Sequence, residues 1–239
     1  MYRLYIGNKN YSSWSLRPWI LMRELAIPFE ERLVPFQQDG SSWASFRMFS
    51  PTGRVPCLHD GASVIWDSLG IVEYLAERHP GVWPADRAAR AWARCAAAEM
   101  HAGFETLRRI CTMNCGIRVR LGQMSSDLER DVSRVGELWS EGLERFGGPF
   151  LAGRAFGAAD AFFAPVVLRV QTYGLELAAP AADYAKRMLD RPALQAWQAE
   201  ALAEPWREPG HEAEARAVGR WIADLRAAVG TSAVAKATR

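Results

Sequence analysis

The sequence predicts two unlike units, an α/β fold of order β-α-β-α-β-β-α over residues 1–79 and an all-helical unit over residues 86–229. Three observations carry that reading. The first 79 residues change pattern every ten or so, from strand-like alternation to helical spacing and back. From Asp86 onward alanine, arginine and glutamate recur with a helical period, and β-branched runs disappear. Between the two, His79-Pro80-Gly81-Val82-Trp83-Pro84 breaks both periods, so residues 80–85 read as a linker.

In order, residues 3–7 form a short strand. Residues 15–26 carry Leu16, Trp19, Ile20 and Leu25 at helical spacing, with Ser12, Ser13 and Ser15 available as N-caps. Residues 28–34 alternate as a second strand, and residues 43–49 make a short helix or turn. Residues 57–59 and 63–66 form a hairpin around Asp60-Gly61, a favoured turn pair. Residues 67–78 are a helix whose inner face holds Leu69, Val72 and Leu75. In the second unit helices are expected at 86–121, 126–146, 158–173, 180–189, 191–203 and 212–228, before a frayed tail at 230–239.

Composition excludes several functions. A hydrophobic content of 49% is ample for a core. No apolar run reaches the roughly eighteen residues that a membrane span needs. A net charge of +2 argues against nucleic acid or an anionic membrane as partner. Four cysteines (Cys57, Cys95, Cys111, Cys115) make no disulfide framework in a chain this long, and Cys111 with Cys115 is half a zinc site. No metal is therefore expected. The N-terminal residues enter a strand pattern at once, without a charged-then-apolar leader, which predicts a cytoplasmic protein. Neither Gly-x-Gly-x-x-Gly nor a P-loop occurs, which excludes a nucleotide-binding α/β enzyme.

The most informative stretch is Ser50-Pro51-Thr52-Gly53-Arg54-Val55-Pro56. Val-Pro closing a turn before a strand is a candidate cis peptide, because only X–Pro bonds adopt cis at modest cost. At such a corner the Val55 N–H and C=O are left to pair with an extended, peptide-like ligand. Asp67-Ser68 then offers a carboxylate and a hydroxyl at a helix start, where backbone N–H groups attract carboxylates. Together they describe a site for a small zwitterionic peptide.

With these motifs and this order of elements, the chain resembles a cytosolic glutathione S-transferase over roughly residues 2–228. Ser50–Pro56 resembles the family's Asn-Pro-x-Gly-x-Val-Pro segment with its cis proline, here Pro56. The run from Ile65 to Leu75 resembles the acidic-residue–Ser–Leu–Ala–Ile helix, and Phe156-Gly157-Ala158-Ala159-Asp160 resembles the buried capping box. The resemblance implies a thioredoxin-like N-terminal domain, a helical C-terminal domain, a homodimer, and glutathione as co-substrate. Val55 would pair with the cysteinyl part of glutathione; Asp67 and Ser68 would hold its γ-glutamyl amine and carboxylate; Arg54 and Ser13 would border it. Tyr11-Ser12-Ser13-Trp14-Ser15-Leu16-Arg17 is similar to the serine region of zeta-like classes, which puts the catalytic serine at Ser12.

A serine suits that role as a hydrogen-bond donor. A thiol is a poor nucleophile until ionised, and a hydroxyl at the positive end of a helix lowers its pKa. The alternative for Ser12, Ser13 and Ser15 is simple capping. Trp14 stands where relatives carry cysteine, so disulfide exchange is not expected. At the capping box Gly157 brings no side-chain acceptor, leaving Asp160 to stabilise the helix start.

The implied function is conjugation of glutathione with a small hydrophobic electrophile, as in detoxification by alkyl or aryl transfer. The alternatives are a glutathione-dependent isomerase or peroxidase of zeta- or theta-like type, and a non-catalytic binder. Met100 and Phe104, four apart, would form the apolar wall of an electrophile pocket between the domains, with His101 and Arg108 beside them. Trp206 is expected to cover the site.

Overall fold

The computed structural model describes residues 1–37 and 41–226. The N-terminal unit runs β1 (Tyr2–Ile6), α1 (Ser13–Glu24), β2 (Phe29–Leu33), α2 (Trp43–Arg47), β3 (Cys57–Asp60), β4 (Ser63–Trp66) and α3 (Ser68–Ala76). The sheet order is β2-β1-β3-β4. β1 pairs parallel with β2 and antiparallel with β3, which pairs antiparallel with β4. The expected hairpin forms, but its turn is Gly61-Ala62 rather than Asp60-Gly61: Asp60 ends β3 opposite Ser63, and Gly61 takes φ +59. The Val55–Pro56 bond is cis.

The remainder continues with α4 (Arg87–Ala102), α5 (Glu105–Ile110), β5 (Ile117–Leu121), α6 (Ser126–Phe146), α7 (Ala158–Tyr173), α8 (Ala181–Leu189), α9 (Pro192–Ala203), α10 (Pro209–Ala217) and β6 (Gly219–Asp224). Two expected helices are corrected. The run 86–121 breaks at Gly103 and Phe104, the latter left-handed at φ +54, and its last five residues form β5. Ile117-Arg118-Val119-Arg120-Leu121 alternates apolar and charged, a period of two that the surrounding arginine-rich helical composition masked. The run 212–228 likewise gives way to β6, antiparallel to β5. The second unit is thus helical except for one two-stranded ribbon. The expected tail at 230–239 lies outside the described residues.

Helix α7 is the pillar of the fold, buried along nearly its whole length. Its start is held as expected from Asp160, whose carboxylate accepts from the N–H of Gly157 (3.0 Å) and Leu151 (3.0 Å) and from the Tyr184 hydroxyl (3.0 Å). Helix α1 lies between the sheet and α7, with Leu16, Ile20 and Leu21 fully buried. Trp19 of α1 meets Trp197 of α9 edge-on at 5.0 Å.

The segment Gly7–Ser12, which delivers α1 to its place, is buried throughout although it is rich in polar residues. Such groups need partners once they leave water, and most come from the far half of the chain. Lys9 N–H and Asn10 N–H donate to the Glu204 carboxylate (2.6 and 3.3 Å), and Trp197 Nε1–H donates to the Lys9 carbonyl (2.9 Å). Lys9 Nζ pairs with Glu31 (2.7 Å) and Glu200. Asn10 is bonded to Asn114 and Gly116, and the Tyr11 hydroxyl donates to Glu212 (3.1 Å).

Candidate active site

Two neighbouring cavities lie at the mouth of this arrangement, and Trp14, Arg54 and Val55 line both. The smaller, about 470 Å³, is bordered by Thr52, Pro56, Trp66, Asp67 and Ser68. The larger, about 580 Å³, holds Ser12, Ser13, Arg108, Thr112, Met113, Arg169 and His211 among its walls. Ser12, Ser13, Arg54, Val55, Asp67 and Ser68 are therefore gathered around one continuous recess.

Val55 is half-buried, and among the described residues no hydrogen bond reaches its backbone N–H or C=O. The ladder between β1 and β3 ends at Tyr5–Cys57, and Gly7 N–H turns instead to Ser15 Oγ (3.2 Å). Gly53 shapes the same wall. It takes φ +63, and a Cβ there would sit 2.5 Å from Cδ1 of Trp43. Gly53→Ala is expected to cost about 1–2 kcal/mol, from left-handed strain and displacement of the Trp43 ring, read as a lowered Tm.

Asp67 caps α3, its Oδ1 accepting from Leu69 N–H (2.7 Å). Its φ of +67 is costly for a residue with a side chain, on the order of 1–3 kcal/mol. That conformation leaves the carboxylate half-exposed at the cavity edge. Ser68 is fully buried and accepts from Arg17 Nη1 (3.3 Å).

Ser12 occupies the N-cap position of α1, yet its side chain makes no cap bond. Its hydroxyl instead donates to Ser15 Oγ (2.7 Å). Ser15 is inside the helix and fully buried, so neither serine caps it. Ser13 lines the larger cavity with no side-chain partner among the described residues.

Trp14 stands at the junction of the two cavities, flanked by two guanidiniums and an imidazole. The Arg17 guanidinium lies 4.1 Å from its ring centroid, Arg108 lies 5.6 Å away, and His101 meets its edge at 5.2 Å. Burial, reinforced by the neighbouring arginines, brings Arg17 down to about 9 and Arg169 down to about 10.

The expected electrophile wall is corrected. Met100 and Phe104 line neither cavity, because α4 ends between them: Met100 is buried in the core and Phe104 packs edge-on against Phe163 at 6.4 Å. His101 lies beside Asp67 (Nε2–Oδ2 3.6 Å) rather than with Arg108 in the larger cavity, and burial lowers its pKa. Trp206 does not line the recess either. His211 does, stacked on Phe36 (centroids 6.0 Å) with Nδ1 at 2.6 Å from the Glu208 carboxylate. Sequence reasoning missed Arg169, Thr112 and His211, which come from three segments with no shared motif.

Cys57, Cys111 and Cys115 are buried, and burial raises their thiols to about 11, 12 and 12. Among the described residues no cluster of three or more metal-ligating side chains occurs. No helix among them is long and apolar enough to cross a membrane.

Residues 11–78 match the family model described as the glutathione S-transferase N-terminal domain. A dichloromethane dehalogenase of Methylorubrum extorquens is 39% identical over 61 residues, which is 25% of this chain and only 21% of that protein. A zeta-class glutathione S-transferase of Euphorbia esula is 28% identical over 159 residues, covering 65% of this chain and 71% of that one. Among solved structures, a glutathione transferase homologue from Burkholderia with bound glutathione superposes with a TM-score of 0.64 at 22% identity, over 85% of this chain and 99% of that chain. The recess is built mainly from the matched N-terminal residues, and the fold around it is shared along the length of such structures. Residues 11–78 belong to the glutathione S-transferase N-terminal domain family, and the chain as a whole shares the fold of glutathione transferases.

Proposed function

We propose that this chain binds glutathione in the smaller cavity and activates its thiol for attack on an electrophile held in the larger one. The observation that carries the reading is the meeting of three features at one recess. These are the unpaired backbone of Val55, the Asp67-Ser68 helix start, and Ser12 at the head of α1. Val55 pairs with the cysteinyl backbone as an added strand does. The Asp67 carboxylate takes the γ-glutamyl ammonium. Ser68 and the first turn of α3 take its carboxylate, with Arg17 behind them.

The thiol then lies toward Ser12. Hydroxyl protons rotate to suit their acceptors, and Ser15 Oγ is already held by Gly7 N–H. Ser15 can therefore donate to Ser12 while Ser12 donates to the thiolate, a polarised chain stronger than one bond alone. Catalysis in this reading is stabilisation of the thiolate, with no covalent role for the serine. The assignment to a serine-type, zeta-like branch follows from Ser12. The homodimer implied by the family draws support from Val64 and Trp66, which β4 leaves exposed. The domain limits, with residues 1–79 holding the peptide and residues 86–229 the electrophile, belong to the same proposal.

The test is a spectroscopic titration of bound glutathione. A thiol free in solution ionises near pH 8.5, and bound here it should ionise about 2 units lower. An unshifted thiol, with binding otherwise intact, would leave a non-catalytic binder as the better reading.

A further inference from the structure

The start of α10 sets a carboxylate and an imidazole beside the larger cavity, and stabilisation of a thiolate makes no use of them. His211 is among the walls of that cavity, with Ser12 and Ser13. Its Nδ1 lies 2.6 Å from Glu208 Oε2, and its backbone N–H donates to the same oxygen at 2.6 Å. Burial works against ionisation of Glu208, but the hydrogen bonds it accepts hold its carboxyl below the ordinary range. An ionised carboxylate only accepts, so Nδ1 carries the ring proton and Nε2 of the neutral imidazole is left as a bare acceptor. Among the described residues Nε2 makes no hydrogen bond.

The ring is held in place by its neighbours. Phe36 stacks on it 11° from parallel, and the Tyr11 ring lies 5.3 Å away. Phe36 N–H donates to Asn8 Oδ1 (2.7 Å), and the Tyr11 hydroxyl accepts from Glu208 N–H (3.2 Å). Asn8 and Tyr11 belong to the segment that delivers Ser12, so the imidazole and the serine share one frame. The other charges nearby are committed elsewhere or stand in the cavity wall. Glu212 and Arg226 are bonded to the Tyr11 hydroxyl, and Arg54, Arg108 and Arg169 line the cavity. A carboxylate that fixes the tautomer of a histidine, whose second nitrogen is free beside a reaction site, is the arrangement that proton transfer needs.

We propose that His211, oriented by Glu208, is a catalytic residue that carries the thiol's proton to the product whenever the electrophile has to gain one. This rests on the glutathione reading and extends it from forming the thiolate to placing its proton. With an enone, the S–H proton passes to Nε2 and the sulfur pair forms a C–S bond at the β-carbon. The C=C π pair shifts to give an enolate, whose α-carbon then takes the proton from Nε2. Thiol and enone are the only reactants consumed, and Glu208 stabilises the imidazolium between the two transfers. With chlorodinitrobenzene a C–S bond forms and chloride leaves with the C–Cl pair, so no proton has to reach the product.

Paired rates with glutathione at pH 7, for benzylideneacetone and for chlorodinitrobenzene, test this directly. His211→Gln should lower kcat/KM for the enone about 100-fold, within the range of general acid–base catalysis, and change the chloroarene rate by less than about threefold. The chloroarene rate also reports that the variant is folded. Glu208→Gln keeps an acceptor at the start of α10 but loses the charge, and should lower the ratio of enone to chloroarene rates about tenfold. Glu214→Gln, exposed on the same helix, should leave both rates unchanged. Nitrogen-15 NMR of the imidazoles should show the Nδ1–H tautomer at His211, lost in Glu208→Gln. The opposite tautomer overturns the proposal, as does an equal fall of both rates in His211→Gln or an unmoved ratio. A wild-type protein inert toward both probes overturns the glutathione reading and this proposal with it, whereas an active one with an unmoved ratio overturns this proposal alone.

Discussion

Replacing Asp160 with alanine should lower Tm by about 10 °C, the largest stability loss expected from a single site in this chain. The carboxylate is buried and satisfies three donors at once: Gly157 N–H, Leu151 N–H and the Tyr184 hydroxyl. Each donor stranded in the core costs about 1–3 kcal/mol. Against that, alanine relieves the cost of burying a charge, which raises the Asp160 pKa to about 6 from an ordinary 3.8. A net loss of about 3–4 kcal/mol follows, and at about 2–4 °C per kcal/mol for a chain of this size the Tm falls accordingly.

The pH dependence has a definite sign. Because the folded pKa is raised, protonation of Asp160 adds an increment of stability that is complete below about pH 4 and is lost as pH climbs to about 6, leaving above that only what the three hydrogen bonds supply. The alanine variant lacks that slope. Thermal melts of both proteins between pH 4 and 8 are the measurement, and a parallel pair of curves would show that the site does not titrate in this way.

Ser12→Ala should shift the acid limb of the kcat profile upward by about 2 pH units. If the bound thiol ionises near pH 6.5 with Ser12 and near 8.5 without it, the thiolate population at pH 7 falls about 25-fold. A more basic thiolate is a somewhat better nucleophile, so the net rate loss at pH 7 is on the order of tenfold or less. Above about pH 9 the two profiles should meet or cross. Rates with glutathione and chlorodinitrobenzene from pH 6 to 10 decide the matter. A loss that persists undiminished at high pH would mean that Ser12 positions substrate rather than the proton. Ser15→Ala should show the same shift in weaker form, since Ser15 acts only through Ser12.

The N-terminal half was legible because its elements are short and marked by local chemistry. Gly61 announces its hairpin to within one residue, Asp67 its cap and Val55-Pro56 its corner, and each signal depends on neighbours in sequence. In the second half the signals are long-range. Arginine and alanine at helical spacing ran across Gly103 and Phe104, and nothing local reveals that Phe104 adopts a left-handed conformation. Met100 and Phe104 were joined by a helix that ends between them, so their spacing carried no information about a shared wall. His101 meets Asp67 only because α4 passes beside the start of α3. Arg169 is hidden for another reason: on a helix buried along most of its length, its role depends on what α5 and α1 bring to it.

The buried segment from Gly7 to Ser12 gives the chain a property that neither half has alone. Its polar groups are answered by Glu204, Trp197, Asn114 and Glu212, so the register of Ser12 is set by residues more than a hundred positions downstream. If Ser12 acts on a thiol as proposed, its reactivity is a gauge of order at the opposite end of the polypeptide. On that reading, a disturbance near α9 or α10 should silence the thiol site before it unfolds the sheet, so the chemistry would carry its own proofreading of completed tertiary assembly.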